Sequence, residues 1–230
     1  MNLKVRMITY LRVMALTKIR VTGLASGTSL ASSFSVDTDT VVYALQCIAG
    51  ETEEEMLPFT DVSENDWYYD AVRFVYENGI MTGTGSSHTT FSPNDSLCRA
   101  QLAVILYRIA GEPEVTSENR FPDVPETEWY RDAVVWVDAA GVATGYANGN
   151  FGPCDEITRE QLAVMLYRYA QKNGMDVTAA EDLSRYEDAD QVSAFARTAM
   201  EWAVAEGIIS GKYDQTQLDS QGSATRAECA

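Results

Sequence analysis

Histidine occurs once in this 230-residue chain, as His88. A His-based catalytic triad or a zinc centre therefore has almost nothing to be built from. The four cysteines (Cys47, Cys98, Cys154 and Cys229) show no CxxC spacing and never fall at equivalent positions of the repeat described below. They read as unpaired thiols, and the sequence calls for no metal and no cofactor. No apolar run approaches the roughly 20 residues that span a bilayer, so no membrane span is expected. Basic residues are scarce beyond the start. Five (Lys4, Arg6, Arg12, Lys18 and Arg20) lie in the first 30 residues with no acid among them, leaving 17 − 5 = 12 against 34 acids, a net of −22 over the rest. A surface of that sign excludes nucleic acid, whose phosphates need a basic face.

What is present is a composition 46% apolar, enough for a core in one or two domains. Residues 1–33 form a basic segment in which Lys18 and Arg20 interrupt any apolar core, which leaves a degenerate leader, a misassigned start and a short helix all open. Residues 34–58 read as a short helix, Thr40 to Ala49, capped by Asp39 and ended by Gly50, followed by an acidic linker. Val36 to Asp39 with Tyr43 to Gly50 resembles the tail of a dockerin calcium-binding segment, but the acidic loop that would hold calcium is missing.

From Phe59 the chain repeats itself. Phe59-Thr60-Asp61-Val62 returns as Phe121-Pro122-Asp123-Val124 at an offset of 121 − 59 = 62, and Trp67-Tyr68-Tyr69-Asp70-Ala71-Val72 returns as Trp129-Tyr130-Arg131-Asp132-Ala133-Val134. Phe91-Ser92-Pro93 matches Phe151-Gly152-Pro153. The third copy is diverged: Asp188, Phe195, Gly211 and Leu218-Asp219-Ser220 stand for the aspartate, the tryptophan, the turn glycine and the Phe-x-Pro. Each copy reads as helix, loop, helix. The first helix, Trp67 to Asn78, is expected to start from Asp66 as N-cap, to bury Trp67, Ala71, Val72 and Val75, and to stop at Gly79. The second, Arg99 to Ala110, stops at Gly111. Helices of about 11 residues are marginal alone, so the copies must pack on one another.

The second helix of each copy opens on one stretch: Cys98-Arg99-Ala100-Gln101, Thr158-Arg159-Glu160-Gln161 and Thr225-Arg226-Ala227-Glu228. Thr158 with Gln161 and Thr225 with Glu228 are capping boxes, whereas Cys98 leaves its helix uncapped. An arginine in the first turn opposes the helix dipole. Arg99, Arg159 and Arg226 beside open helix amides would suit an anion, or each would pair with Asp61, Asp123 or Asp188 of a neighbouring copy. On the ligand reading, Arg159→Ala weakens ligand binding and leaves helicity unchanged. Asp61, Asp123 and Asp188 are also explained by Asx turns, and Gly83, Gly145 and Gly211 by positive φ or close backbone approach. Trp67 and Trp129 either stack on a sugar or pack the core. The acid pair Asp155-Glu156 would be a glycosidase dyad only by accident of adjacency; acids in a polar loop are usually solvated.

These residues resemble the S-layer homology (SLH) family: Phe-x-Asp-Val, tryptophan, Ala-Val, Gly-Ile/Val, Phe-x-Pro, then Ile-Thr-Arg-Glu-Gln before an apolar helix. The resemblance covers Phe59 to Ala230 and implies an all-α fold of tandem helix-loop-helix SLH repeats. They would form a pseudo-threefold, three-pronged spindle around a central helix bundle, with repeats at 59–120, 121–183 and 184–230. It implies grooves between prongs that bind secondary cell-wall polysaccharide, a peptidoglycan-linked polymer, often through a pyruvylated sugar. That binding holds an exported protein on the cell surface without catalysis. It carries a ligand role over to Arg99, Arg159, Arg226, Gln101, Gln161, Glu228, Asp61, Asp123, Asp188, Trp67, Trp129, Gly83, Gly145, Gly211, Tyr146 and Lys212. The third repeat stops about ten residues before its second helix should end, which puts the groove at Arg226 in doubt and favours that at Arg159. The alternatives are a piece of a larger surface enzyme, such as a wall or polysaccharide hydrolase, and a protein–protein scaffold.

Overall fold

The computed structural model describes residues 57–230; the N-terminal segment and the helix expected at Thr40 to Ala49 lie outside the described residues. The elements are α1 (Tyr69–Glu77), α2 (Arg99–Ile109), α3 (Arg131–Ala139), α4 (Arg159–Lys172), α5 (Arg197–Ala205) and the single turn α6 (Arg226–Cys229), with 3-10 turns at Leu183–Arg185 and Ala189–Gln191. Among the described residues there is no β-strand, only isolated bridges. The all-helical expectation stands on that observation.

Helix α1 starts later than the pattern predicts. Asp66 spends its carboxylate on the Ser63 amide at 2.7 Å and its carbonyl on the Tyr69 amide at 3.0 Å, so it closes a turn before the helix and Tyr68 occupies the N-cap. Trp67 therefore precedes the helix and is 64% exposed, not part of the apolar stripe; Val72 and Val75 are the buried positions. The predicted stop is right: Gly79 takes φ +65°, the left-handed conformation a C′ glycine supplies.

Helix α2 lies on α3 and α4 on α5. Tyr107 meets Trp136 across the first pair, with ring centroids 5.7 Å apart, and Tyr167 meets Trp202 across the second at 5.5 Å. Helix α4 sits between two cores. Leu162, Met165 and Tyr169 face the cluster of the first two repeats, and Ala163, Val164 and Ala170 face that of the third.

The residue before each N-cap joins the copies in a closed cycle. The Leu97 amide donates to Ala224 O (2.8 Å), Ala224 to Ile157 O (3.0 Å) and Ile157 to Leu97 O (2.8 Å). All three residues are fully buried, so these main-chain groups are satisfied only by one another. The next two amides extend the pattern. Arg99, Arg159 and Arg226 donate to Asp155 O, Gly222 O and Asp95 O, each at 2.9 Å. Ala100, Glu160 and Ala227 donate to Pro153 O, Ser220 O and Pro93 O. The helix amides expected to be open to an anion are thus taken by a neighbouring repeat's carbonyls.

Candidate functional site

Each junction between repeats is built around one arginine, and each arginine is almost fully buried. Arg99 Nε donates to Phe151 O at 2.9 Å, Arg159 Nε to Leu218 O at 2.9 Å and Arg226 Nε to Phe91 O at 2.7 Å. The amide of that same Phe or Leu, with the next amide, is held by an aspartate of its own repeat. Asp61 accepts from Phe91 and Ser92, Asp123 from Phe151 and Gly152, and Asp188 from Leu218 and Asp219, at 2.7–2.9 Å. Arginine and aspartate therefore grip opposite edges of one loop and form neither the predicted ion pair nor an Asx turn. Leu218 does the work of the Phe-x-Pro phenylalanine because the contact uses its main chain.

The second guanidinium contact differs between junctions. Arg159 Nη2 donates to Ser210 O (2.7 Å) and Arg226 Nη2 to Thr82 O (2.9 Å), whereas the matching Thr144 O is taken by Arg120 (2.8 Å). Arg99 instead donates Nη1 to Gln161 Oε1 (3.3 Å) and stacks on Tyr146, 4.5 Å from the ring centroid. Burial pulls Arg99 and Arg226 below the ordinary arginine value, opposed mainly by Tyr146 and Asp155 at Arg99 and by Asp95 at Arg226. Burial likewise pushes the Tyr146 hydroxyl up, against the pull of Arg99.

The capping residues also divide their roles. Gln101 Oε1 accepts from the Cys98 amide at 2.9 Å and the Cys98 sulfur accepts from the Gln101 amide, so the helix expected to be uncapped has both halves of a box, with a thiol in place of the hydroxyl. Thr158 Oγ1 accepts from Gln161 N (3.3 Å), but the Gln161 side chain turns to Arg99. Thr225 and Glu228 form the full box, and Glu228 Oε1 also lies 3.5 Å from Arg159 Nη1 and 3.4 Å from Lys212 Nζ. Of Gly83, Gly145 and Gly211 only Gly145 has positive φ, +71°. Gly83 and Gly211 are needed for contact: a Cβ would collide with His88 O in the first case and meet Gln215 Cα at 2.7 Å in the second. The backbone they approach is that of their own loop. Glu156 accepts from Ser223 Oγ at 2.6 Å and from Ser96, so it links the three copies, and this hydrogen bonding holds its carboxyl below the ordinary value.

A cavity of about 470 Å³ opens at the Arg226 junction. It is walled by the loop of residues 80–85 with His88, by Gln101, Val104, Ile105 and Arg108 of α2, and by Trp129 and Arg226. It thus gathers Gly83, Gln101, Trp129 and Arg226 from all three repeats. A cavity thus forms at the Arg226 junction, the one the sequence put in doubt. Its helical wall is α2, Arg99–Ile109. Trp67 lies apart, exposed and edge-on to Tyr68. Sequence reasoning missed Arg108, although its signal was present: Gln101, Val104, Ile105 and Arg108 are spaced i, i+3, i+4, i+7, one helix face.

These features define a class first: three helix-loop-helix copies joined in a cycle, with a cationic cavity at a junction. The chain belongs to the S-layer homology domain family, which it matches over residues 58–103, 120–163 and 185–230. It is similar to an endoglucanase of Bacillus sp. (strain KSM-635), 34% identical over 71% of this chain and 17% of that enzyme. It is also similar to the surface-layer 125 kDa protein of Lysinibacillus sphaericus (29%, over 70% of this chain and 13% of that protein). The cellulosome-anchoring protein of Acetivibrio thermocellus matches at 30% over 60% of this chain and 31% of that protein. The chain spans less than a third of the length of each of these relatives.

Proposed function

We propose that the chain is a non-catalytic anchoring module that binds secondary cell-wall polysaccharide, through an anionic, pyruvylated saccharide, and holds its protein on the cell surface. One observation carries the reading. In a chain of net charge −17, the cavity is lined by Arg108 and Arg226 and, among the described residues, by no carboxylate. A concave site with convergent cations and an exposed indole suits an acidic sugar. The names of the relatives support surface attachment, since they include a surface-layer protein and an anchoring protein. In this reading the repeats run 59–120, 121–183 and 184–230 as a pseudo-threefold spindle, an arrangement supported by the cycle of main-chain bonds. Among the described residues no helix is long and apolar enough to cross a membrane.

The endoglucanase relative keeps the second reading in view, a piece of a surface enzyme whose catalytic part lies elsewhere. Co-sedimentation of the full chain with purified peptidoglycan-linked polymer separates them. An anchor pellets and is displaced by a pyruvylated saccharide. An enzyme releases reducing sugar, and a scaffold does neither.

A further inference from the structure

The junction arginines are spent on the fold, so the cation that meets a ligand in the cavity needs its own source. Arg226 is 6% exposed and already holds Phe91 O and Thr82 O. Arg108 is placed differently. Its side chain is 30% exposed, among the described residues it donates one hydrogen bond, to Ile80 O at 3.2 Å, and its ion pair with the exposed Glu112 is a loose 3.8 Å. We infer that Arg108 is the ligand-contacting cation of this cavity, that Arg226 is a positioning residue, and that anionic saccharide binds at this one junction of the three. The inference rests on the wall-polymer reading above and assigns it a residue and a stoichiometry.

At the other two junctions the arginine is neutralised or covered from within. At Arg159 the facing capping residue is Glu228. Its carboxylate lies between Arg159 and Lys212, and Lys212 also pairs with Asp219 at 3.2 Å. Two cations there meet two carboxylates, and an incoming anion would face like charge. At Arg99 the Tyr146 ring and the Gln161 oxygen cover the guanidinium. At Arg226 the matching capping residue is the neutral Gln101, whose oxygen turns back to the Cys98 amide. The cavity therefore offers a cation on one wall and the exposed indole of Trp129 on another, and its volume lies in the range that holds a compact ligand. The class of ligand is a sugar bearing a single carboxylate.

The test is calorimetric titration of the full chain with a pyruvylated methyl hexoside and with its unpyruvylated parent. The inference expects one equivalent bound per chain, with Arg108→Gln at least about tenfold weaker, as the loss of a charge-assisted hydrogen bond implies. Glu112→Gln, which leaves Arg108 in place and removes its competitor, is expected to bind severalfold tighter. Arg168→Gln, at the matching position of the second repeat, is expected to bind unchanged. Two or three equivalents per chain, unchanged affinity of Arg108→Gln with a native melt, or weakening by Arg168→Gln overturns the inference and leaves the wall-polymer reading standing. If Arg108→Gln does not fold, Glu112→Gln decides: unchanged or weaker binding overturns the inference. A chain that takes up no pyruvylated hexoside overturns both.

Discussion

An arginine in the first turn of a helix opposes the macrodipole by about 0.3–1 kcal/mol. Two charge-assisted hydrogen bonds to buried carbonyls, about 1.5–3 kcal/mol each, outweigh it. That balance explains why the three arginines belong to the fold before any ligand. Arg159→Ala is accordingly expected to destabilise the chain by about 3 kcal/mol or more, since Leu218 O and Ser210 O lose their donors. A urea midpoint unchanged from wild type would return Arg159 to the ligand role that its sequence position first suggests. The thiols offer a second check. Burial pushes Cys229 from 9.0 up to about 12, while Cys154 is exposed. Iodoacetamide at pH 8 is expected to modify Cys154 in the native chain and Cys229 only after unfolding. Below pH 9.0 Cys229 is neutral in both states. Between that value and about 12 only the unfolded chain ionises, so stability falls as pH rises through this window.

At the scale of elements, the repeat made much of the fold legible. Helices α2 and α4 begin at the residue the capping pattern names, and the glycine stops are correct. The start of α1 was not legible, because Asp66 uses its side chain one turn earlier. The roles of Asp61, Asp123 and Asp188 were hidden for another reason: their partners lie about 30 residues away, beyond any local pattern. Arg108 escaped because the repeat directs the eye to the helix start, whereas the cavity wall runs two turns further along the same face. The packing also ranks the helices. Helices α3 and α5 each lie under a preceding helix and bury four and five residues, while α1 buries two. Amides of α1 are expected to exchange with deuterium faster than those of α3 and α5. Equal protection across the three would contradict the packing order.

At the scale of the whole molecule, the proposed binding of an anionic polymer by a chain of net charge −17 works against the chain's own long-range field. The two arginines of the cavity act only within a Debye length, about 10 Å at 0.1 M salt and about 30 Å at 0.01 M. Association with the polymer is therefore expected to quicken as salt is raised from about 0.01 to about 0.1 M, the opposite of a basic wall binder. Stopped-flow tryptophan fluorescence would read it, and a rate that falls over that range would place the dominant contacts on a cationic surface other than this cavity. The central claim is that the cavity recognises the carboxylate of a wall saccharide. Its most direct measurement is a pull-down of the full chain on wall polysaccharide before and after chemical removal of pyruvate. The account predicts retention on the intact polymer and loss on the stripped one. Equal retention on both would contradict it.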